Sequence, residues 1–284
     1  MYRFFVRPEN ICGNDIYIEG QDVNHIKNVL RMRIGEEVSV VEEGAPDTER
    51  YAGPESACGK EPGAGRGSGC GKESDGWPEP GAGKEYRCEI ADYEEDRVHL
   101  KLRFIKEDNV ELPNRIYLLQ GLPKGDKMEL IIQKAVELGV FEIIPVQMKR
   151  SVVRYDGKKE ASKITRFNAI SEAAAKQSKR SIIPCVRHVM SFKDAVSYCK
   201  DMDVKLLPYE LADMDAMDKT REIFGNIQKG QSVAVFIGPE GGFDETEYEQ
   251  AAGAGFLPIT LGHRILRTET AGMTVLAWLG YVLE

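Results

Sequence analysis

A chain of 284 residues, 42% apolar and 30% charged, is long enough for one or two globular domains with buried cores. It has no run of about eighteen apolar residues, which excludes a helical membrane span, and Met1-Tyr-Arg-Phe-Phe-Val-Arg-Pro lacks the apolar stretch and cleavage site of a secretory leader, so a cytoplasmic location is expected. A net charge of −8 argues against a generic nucleic-acid binder, and six cysteines without a CxxC pair point to reduced thiols, with no metal site expected.

The charge is unevenly spread. Residues 147–188 hold eleven Lys or Arg against three acids, a local net of +8, and residues 194–250 hold five against thirteen, a local net of −8. Such runs are commonly solvated helical faces; the basic one equally suits an RNA backbone.

In chain order, Ile16-Tyr-Ile18 and Val38-Ser-Val-Val41 alternate like half-buried strands. Between them Asp22 is placed to cap a helix running to about Met32, with Val23, Ile26, Val29 and Leu30 inward and Gly35 ending it. Residues 45–84 carry five prolines, ten glycines and the repeated phrase Cys-Gly-Lys-Glu at 58 and 70. Too few large apolar residues are present to offset ordering entropy, so a flexible insertion is expected there. Tyr86–Ile90 and Val98–Ile105 read as further strands. Residues 1–110 thus form a small β-rich domain interrupted by the insertion at 45–84, and residues 111–284 form a second domain.

From Arg115 strands alternate with helices. Ile116–Gln120 is a strand. Asp126 and Glu129 have capping-box spacing ahead of a helix with Met128, Ile131, Ile132, Ala135 and Leu138 on one face, and Gly139 ends it. Phe141–Val146 is a strand and about 158–178 a long basic helix. Strands near 182–186, 204–208, 233–237 and 257–261 follow, and a last helix starts from a Thr268 cap. This alternation predicts an α/β fold with a largely parallel sheet and helices on both faces.

The chemistry concentrates at two strand ends. Val233–Ile237 runs into Gly238-Pro-Glu-Gly-Gly242, with Asp244 and Glu247 at capping-box spacing behind it. Leu257–Leu261 runs into Gly262-His-Arg-Ile-Leu-Arg267 and then Thr268-Glu-Thr-Ala271. Both loops fall at the carboxyl edge of the sheet, where open α/β sheets bind ligands. Small residues bring backbone N–H and C=O groups close to a ligand. No Walker Lys-Ser/Thr is present, so a neutral or cationic ligand such as an adenine ring or a sulfonium is favoured over phosphate. Ile265-Leu266 would wall an adenine pocket, and Arg264 and Arg267 would hold an RNA phosphate or a base carbonyl. A dinucleotide oxidoreductase would need GxGxxG after a first strand and an acid about twenty residues on, and neither is found.

Several ordered blocks carry a family likeness. They are Leu119-Gln-Gly-Leu-Pro-Lys-Gly-Asp-Lys-Met128, Gln133-Lys-Ala-Val-Glu-Leu-Gly139, Glu142-Ile-Ile-Pro-Val146, Arg150-Ser-Val-Val153, Glu172-Ala-Ala-Ala-Lys-Gln-Ser178 with Arg180, Phe236–Phe243 and Leu261–Ala271. With these blocks, the Met1–Val6 start and His25–Met32, the chain resembles the 16S ribosomal RNA uridine-N3 methyltransferases (the RsmE type) of the SPOUT superfamily; it departs from them in the insertion.

The resemblance implies a C-terminal α/β domain with a deep trefoil knot, a PUA-like β-barrel domain before it, S-adenosyl-L-methionine as cofactor, and a homodimer. The partner would be 16S rRNA or the small ribosomal subunit. Cofactor contacts are expected from Gly238, Glu240, Gly241 and Gly242, from Leu261, Gly262, Ile265, Leu266 and Ala271, and from Leu207. RNA contacts are expected from Arg3, Arg7, Arg31 and Arg33, and from Lys149, Arg150, Arg154, Gln177 and Arg180. Arg264, Arg267 and Arg180 are candidates to stabilise a uridine anion, and Glu172 or Glu269 to take its N3 proton, with solvent as the other acceptor. His25 and His263 lie in matching blocks and are expected to be structural. Two alternatives share these features: a SPOUT enzyme with another RNA target, and a non-catalytic ribosome-assembly factor.

Overall fold

The computed structural model of the protein describes residues 1–42, 84–107, 110–209 and 216–284. The expected insertion lies outside these residues except for Lys84.

The first part of the chain builds one sheet. Its strands are β1 (Arg3–Val6), β2 (Ile11–Cys12), β3 (Asp15–Glu19), β4 (Glu37–Glu42), β5 (Lys84–Tyr93) and β6 (Arg97–Glu107), in spatial order β1-β4-β5-β6-β3-β2. β1 and β4 are parallel, and the other pairs are antiparallel. Phe4, Val6, Ile16, Ile18, Val38 and Val40 turn into one core. Phe5 and Val41 turn the other way, into the larger core described below. Burial of β1 on both faces accounts for its unbroken apolar run Phe4-Phe-Val6, which period-two alternation does not describe.

The helix expected from Asp22 to Met32 is cut short. Gly20, at φ 72°, precedes α1 (Gln21–Asn24), a π turn covers His25–Val29, and Arg31 then reverses the chain at φ 52°. The widened turn leaves Val29 62% exposed rather than inward. Asp22 caps nothing; it accepts from Lys176 Nζ at 2.9 Å, across the seam between the two sheets.

The remaining strands are β7 (Arg115–Gly121), β8 (Glu142–Gln147), β9 (Cys185–Val186), β10 (Met190–Ser191), β11 (Val204–Pro208), β12 (Ser232–Ile237) and β13 (Leu257–Ile259). Their order is β10-β8-β7-β12-β11-β13 with β9 beside β8, and every pairing is parallel. The helices are α2 (Lys127–Glu137), α3 (Gly157–Ser178), α4 (Phe192–Tyr198), α5 (Ala216–Gly225), α6 (Glu245–Gly253) and α7 (Thr268–Leu283). Ile116 and Leu118 of β7 meet residues of α2, α3 and α7 on one face of the sheet, while Leu119 meets those of α4 and α6 on the other. This confirms the predicted parallel sheet covered on both sides.

From β7 the chain proceeds outward through β8 to β10, then returns to lay down β11, β12 and β13 beyond the opposite edge of β7. The direction reverses between β7 and β12, whose carboxyl ends open one crevice.

Two helix starts differ from expectation. Asp126 sits at φ −93°, ψ 9° with no side-chain cap, and Glu129 accepts from Arg166 Nη2 at 2.7 Å instead. The α7 N-cap is Arg267, in extended geometry, and Thr268 is the first helical residue. The Asp244–Glu247 capping box forms as predicted.

Candidate functional site

Gln120 and Gly121 end β7, and beside them Ile237 ends β12 and Gly238 follows it. These exits are in near-contact. A Cβ on Gly121 would stand 2.6 Å from Pro239 Cδ and 2.7 Å from both Pro239 N and Met148 Sδ, so only glycine fits. A chain of hydrogen bonds joins them to α7. Gln120 Nε2 donates to Thr268 Oγ1 at 2.9 Å, and the Thr268 hydroxyl donates to the Gly238 carbonyl at 2.6 Å.

The first loop turns tightly after Gly238. Gly242 N–H donates to Pro239 O at 2.9 Å, and Gly242 lies at φ 67°, which favours glycine. The loop is braced from the β8 exit: Arg150 Nη1 donates to Gly241 O at 3.1 Å, Lys149 N–H to Glu247 Oε1 at 2.8 Å, and Lys149 Nζ to Asp244 Oδ1 at 2.9 Å. In the second loop Gly262, at φ 102°, donates its N–H to Thr260 Oγ1 at 3.3 Å. Leu261 and Leu266 are half-buried, whereas Ile265 is 84% exposed.

An ionic bridge ties the loops from outside. Lys127 Nζ, in the first turn of α2, lies 2.9 Å from Glu240 Oε1 and 3.5 Å from Glu269 Oε2. Glu240 also accepts the Lys124 N–H at 3.0 Å, just ahead of the α2 start where Asp126 makes no side-chain cap, and adds negative charge at that helix end. Burial acts to raise the Glu240 pKa, but the bonds from Lys127 and from backbone N–H groups outweigh it, and its pKa falls below the ordinary value. The Lys127 pKa is raised, chiefly by its hydrogen bond to Glu240. Two carboxylates around one ammonium leave the bridge with an excess negative charge.

The arrangement fits the expected cofactor in kind. Glycines at positive φ present main-chain groups, Ile265 and Leu266 offer apolar surface, and the acidic excess suits a cationic centre. The cations beside the first loop are bonded to the loop itself, Arg150 to Gly241 O and Lys127 to Glu240, rather than presented to a phosphate.

Glu240, Gly241 and Gly242 lie on the first loop with Gly238; Leu261, Gly262, Arg264, Ile265, Leu266 and Arg267 lie on the second, and Ala271 lies in the first turn of α7. Lys149 and Arg150 adjoin the first loop, while Arg154 is exposed on the segment leading to α3. Leu207 is at the end of β11, but its side chain is buried in the core facing α4 and α6. Arg7, Arg31 and Arg33 are exposed on the first sheet's part of the chain, and Gln177 is exposed on the last turn of α3.

Three expectations need correction. Arg180 is buried, with Nε donating to Glu111 Oε2 at 3.0 Å and Nη1 to Val136 O at 3.2 Å, so its guanidinium is committed inside the protein. Arg3 is buried as well; it donates to Glu85 Oε2 at 2.7 Å and Arg180 O at 3.1 Å, which removes it from an RNA-facing surface. Glu172 belongs to the seam, where Lys176 bridges it to Asp22 at 2.8 and 2.9 Å. Gln120 and Lys127 went unrecognised in the sequence. The signal for Gln120 was a lone polar residue ending the apolar run Ile116–Leu119.

The RNA methyltransferase domain family matches residues 110–280, a span that holds β7, both loops and most of α7. The RNA methyltransferase PUA domain family matches residues 18–45. The chain belongs to the RNA methyltransferase family. Among its relatives, Ribosomal RNA small subunit methyltransferase E of Bacillus subtilis (strain 168) is 33% identical over 268 residues, covering 94% of this chain and 90% of that protein. The protein of the same name from Mesomycoplasma hyopneumoniae (strain 232) is 38% identical over 169 residues, 59% of this chain and 70% of that one. A crystal structure of Ribosomal RNA small subunit methyltransferase E from Neisseria gonorrhoeae, bound to S-adenosyl methionine, aligns with a TM-score of 0.70 at 29% identity, covering 98% of this RNA methyltransferase and 95% of that chain.

Proposed function

We propose that this RNA methyltransferase uses S-adenosyl-L-methionine to methylate N3 of a specific uridine in 16S rRNA, acting as a cytoplasmic homodimer on the rRNA or the small subunit. Residues 111–284 would be the α/β-knot methyltransferase domain and residues 1–110 a PUA-like RNA-docking domain. The observation that carries the reading is the joining of two small-residue loops at the β7–β12 crevice through Thr268 Oγ1 and Gly238 O, 2.6 Å apart.

Main-chain groups of Gly238, Glu240, Gly241 and Gly242 would hold the cofactor on one side. Leu261, Gly262, Ile265 and Leu266 would wall it on the other, with Ala271 and the end of β11 at Leu207 nearby. When bound, the cofactor supplies an electrophilic methyl group. Uridine N3 is a poor nucleophile until it loses its proton, so the protein must favour the anion. Arg264 and Arg267 are exposed on the second loop, and a guanidinium beside O2 or O4 stabilises that charge. The N3 proton leaves to solvent or to Glu269, whose carboxylate already faces Lys127. Arg7, Arg31, Arg33, Lys149, Arg150, Arg154 and Gln177 would contact RNA.

The test is mass spectrometry of 16S rRNA from cells lacking the enzyme, before and after incubation with purified protein and cofactor. One added methyl on uridine N3 is expected. A methyl on a ribose 2′-hydroxyl, on another RNA, or none at all would overturn the assignment.

A further inference from the structure

We propose that Gln120 and Thr268 form a positioning relay that sets the Gly238 carbonyl, and with it the cofactor loops. The inference rests on the functional reading above and adds two residues that never touch the reacting atoms.

Gln120 is fully buried, in register with Ile237 of β12 and Pro145 of β8. An amide in the middle of an apolar parallel sheet is costly unless its hydrogen bonds are met. Here only half are met. Nε2 uses both hydrogens, toward Thr268 Oγ1 at 2.9 Å and Gly121 O at 3.0 Å, while Oε1 is buried without a partner among the described residues.

The direction of the bonds is forced. The Gly238 carbonyl can only accept, so the single Thr268 proton goes to it at 2.6 Å. Thr268 Oγ1 must therefore accept from Gln120, and the Gly121 carbonyl must accept as well. Turning the amide over would set an oxygen against both acceptors. Gln120 is thus locked with its NH2 toward the loops and its carbonyl stranded beside Gly272 and Ile237. A Leu or Met of similar size would pack there without an oxygen of its own to strand, giving up the two donated bonds. An amide that strands its own oxygen in order to aim two donors has a role other than packing.

That role is spatial. The relay links the exit of β7, the first residue of the first loop and the first helical residue after the second loop. It fixes how Gly238 sits against the Arg267–Thr268 corner where the second loop ends. Gly121 and Pro239 hold the same exits by contact, and the relay adds the bond that aims the Gly238 carbonyl.

Cofactor affinity by calorimetry, thermal midpoint, and hydrogen exchange of amides 240–243 should be measured for the parent, Thr268→Val, Thr268→Ser, Gln120→Met and the Thr268→Val/Gln120→Met double variant. Thr268→Val and Gln120→Met should each weaken S-adenosylmethionine binding by about tenfold, the scale of one lost hydrogen bond. Thr268→Ser, which keeps the hydroxyl, should bind like the parent. Gln120→Met should melt close to the parent, because removal of the stranded acceptor offsets the loss of the two donated bonds. The double variant should be no worse than Thr268→Val, since the two residues act in series. Exchange of the first-loop amides should quicken in both single variants, with no ligand present. Parental affinity in Thr268→Val and Gln120→Met, or losses that merely follow a falling thermal midpoint, would overturn the relay while leaving the functional reading intact. A parent that does not bind the cofactor would overturn both.

Discussion

The guanidinium of Arg180 lies against the carboxylate of Glu111, Nε to Oε2 at 3.0 Å, with the two side chains only 6% and 10% exposed. Arg180 sits just after α3 and Glu111 just ahead of β7, and Glu111 Oε1 also accepts the Ser181 N–H at 2.7 Å. Arg180→Met would leave a buried carboxylate without its counter-ion, which costs about 3–5 kcal/mol. Urea denaturation should show that loss, while cofactor affinity of the folded fraction stays near the parent value. A fully stable variant defective only in methyl transfer would restore Arg180 as a catalytic candidate.

Gly121→Ala should act on both stability and binding. Its Cβ would overlap Pro239 and Met148, and overpacking of this kind costs about 1–3 kcal/mol. The strain falls between the β7 and β12 exits, so cofactor affinity should weaken too. Denaturation and calorimetry on the same sample check both effects.

Arg31 adopts φ 52° with its side chain exposed, a conformation that glycine would hold without strain. Arg31→Ala and Arg31→Gly should both lower the log-log salt slope of RNA binding by about 1, as loss of one phosphate contact does. Arg31→Gly should be the more stable of the two by up to about 1 kcal/mol, the left-handed penalty less the added freedom of the unfolded chain. Equal salt slopes in parent and variants would remove Arg31 from the RNA surface.

Asp244 is held down at about 2, first by its hydrogen bond from Lys149 and then by that from Thr246. A carboxyl with a depressed folded pKa stabilises the fold above its unfolded value, near 3.8, and that contribution disappears as pH falls toward 2. Subtracting Asp244→Asn from the parent in urea midpoints across pH 5 to 2 should leave a difference that shrinks steadily on acidification. A difference independent of pH would mean the cap, not the charge, is what Asp244 contributes.

What the sequence made legible was local. The 244–247 capping box, α3 as one long basic helix and the strands near 116–120, 141–146, 204–208, 233–237 and 257–261 follow from spacing and periodicity and form, whereas the strand expected at 182–186 is only Cys185–Val186 and β10 carries no sequence signal. The misses come from partners distant in sequence. Asp126 has the right neighbours for a cap, but Glu240 reaches the same helix start from the other loop. Arg3 and Arg180 look like any surface cations until β1 packs its second face against the larger core. The site followed the same rule. Its glycines were visible as a pattern, whereas Gln120 and Thr268 gain their meaning only from each other.

The pairing of β7 with β12, Ser232 opposite Arg115, bears on how the molecule comes into being. Among the described residues the two strands that open the crevice are separated in sequence by four other strands and four helices, so closing them demands a long entropic loop and comes late in folding. A half-folded chain presents no partial pocket. Methyl-donor capture can therefore serve as a gauge of complete maturation, absent from every kinetic intermediate in which those neighbours have not yet met.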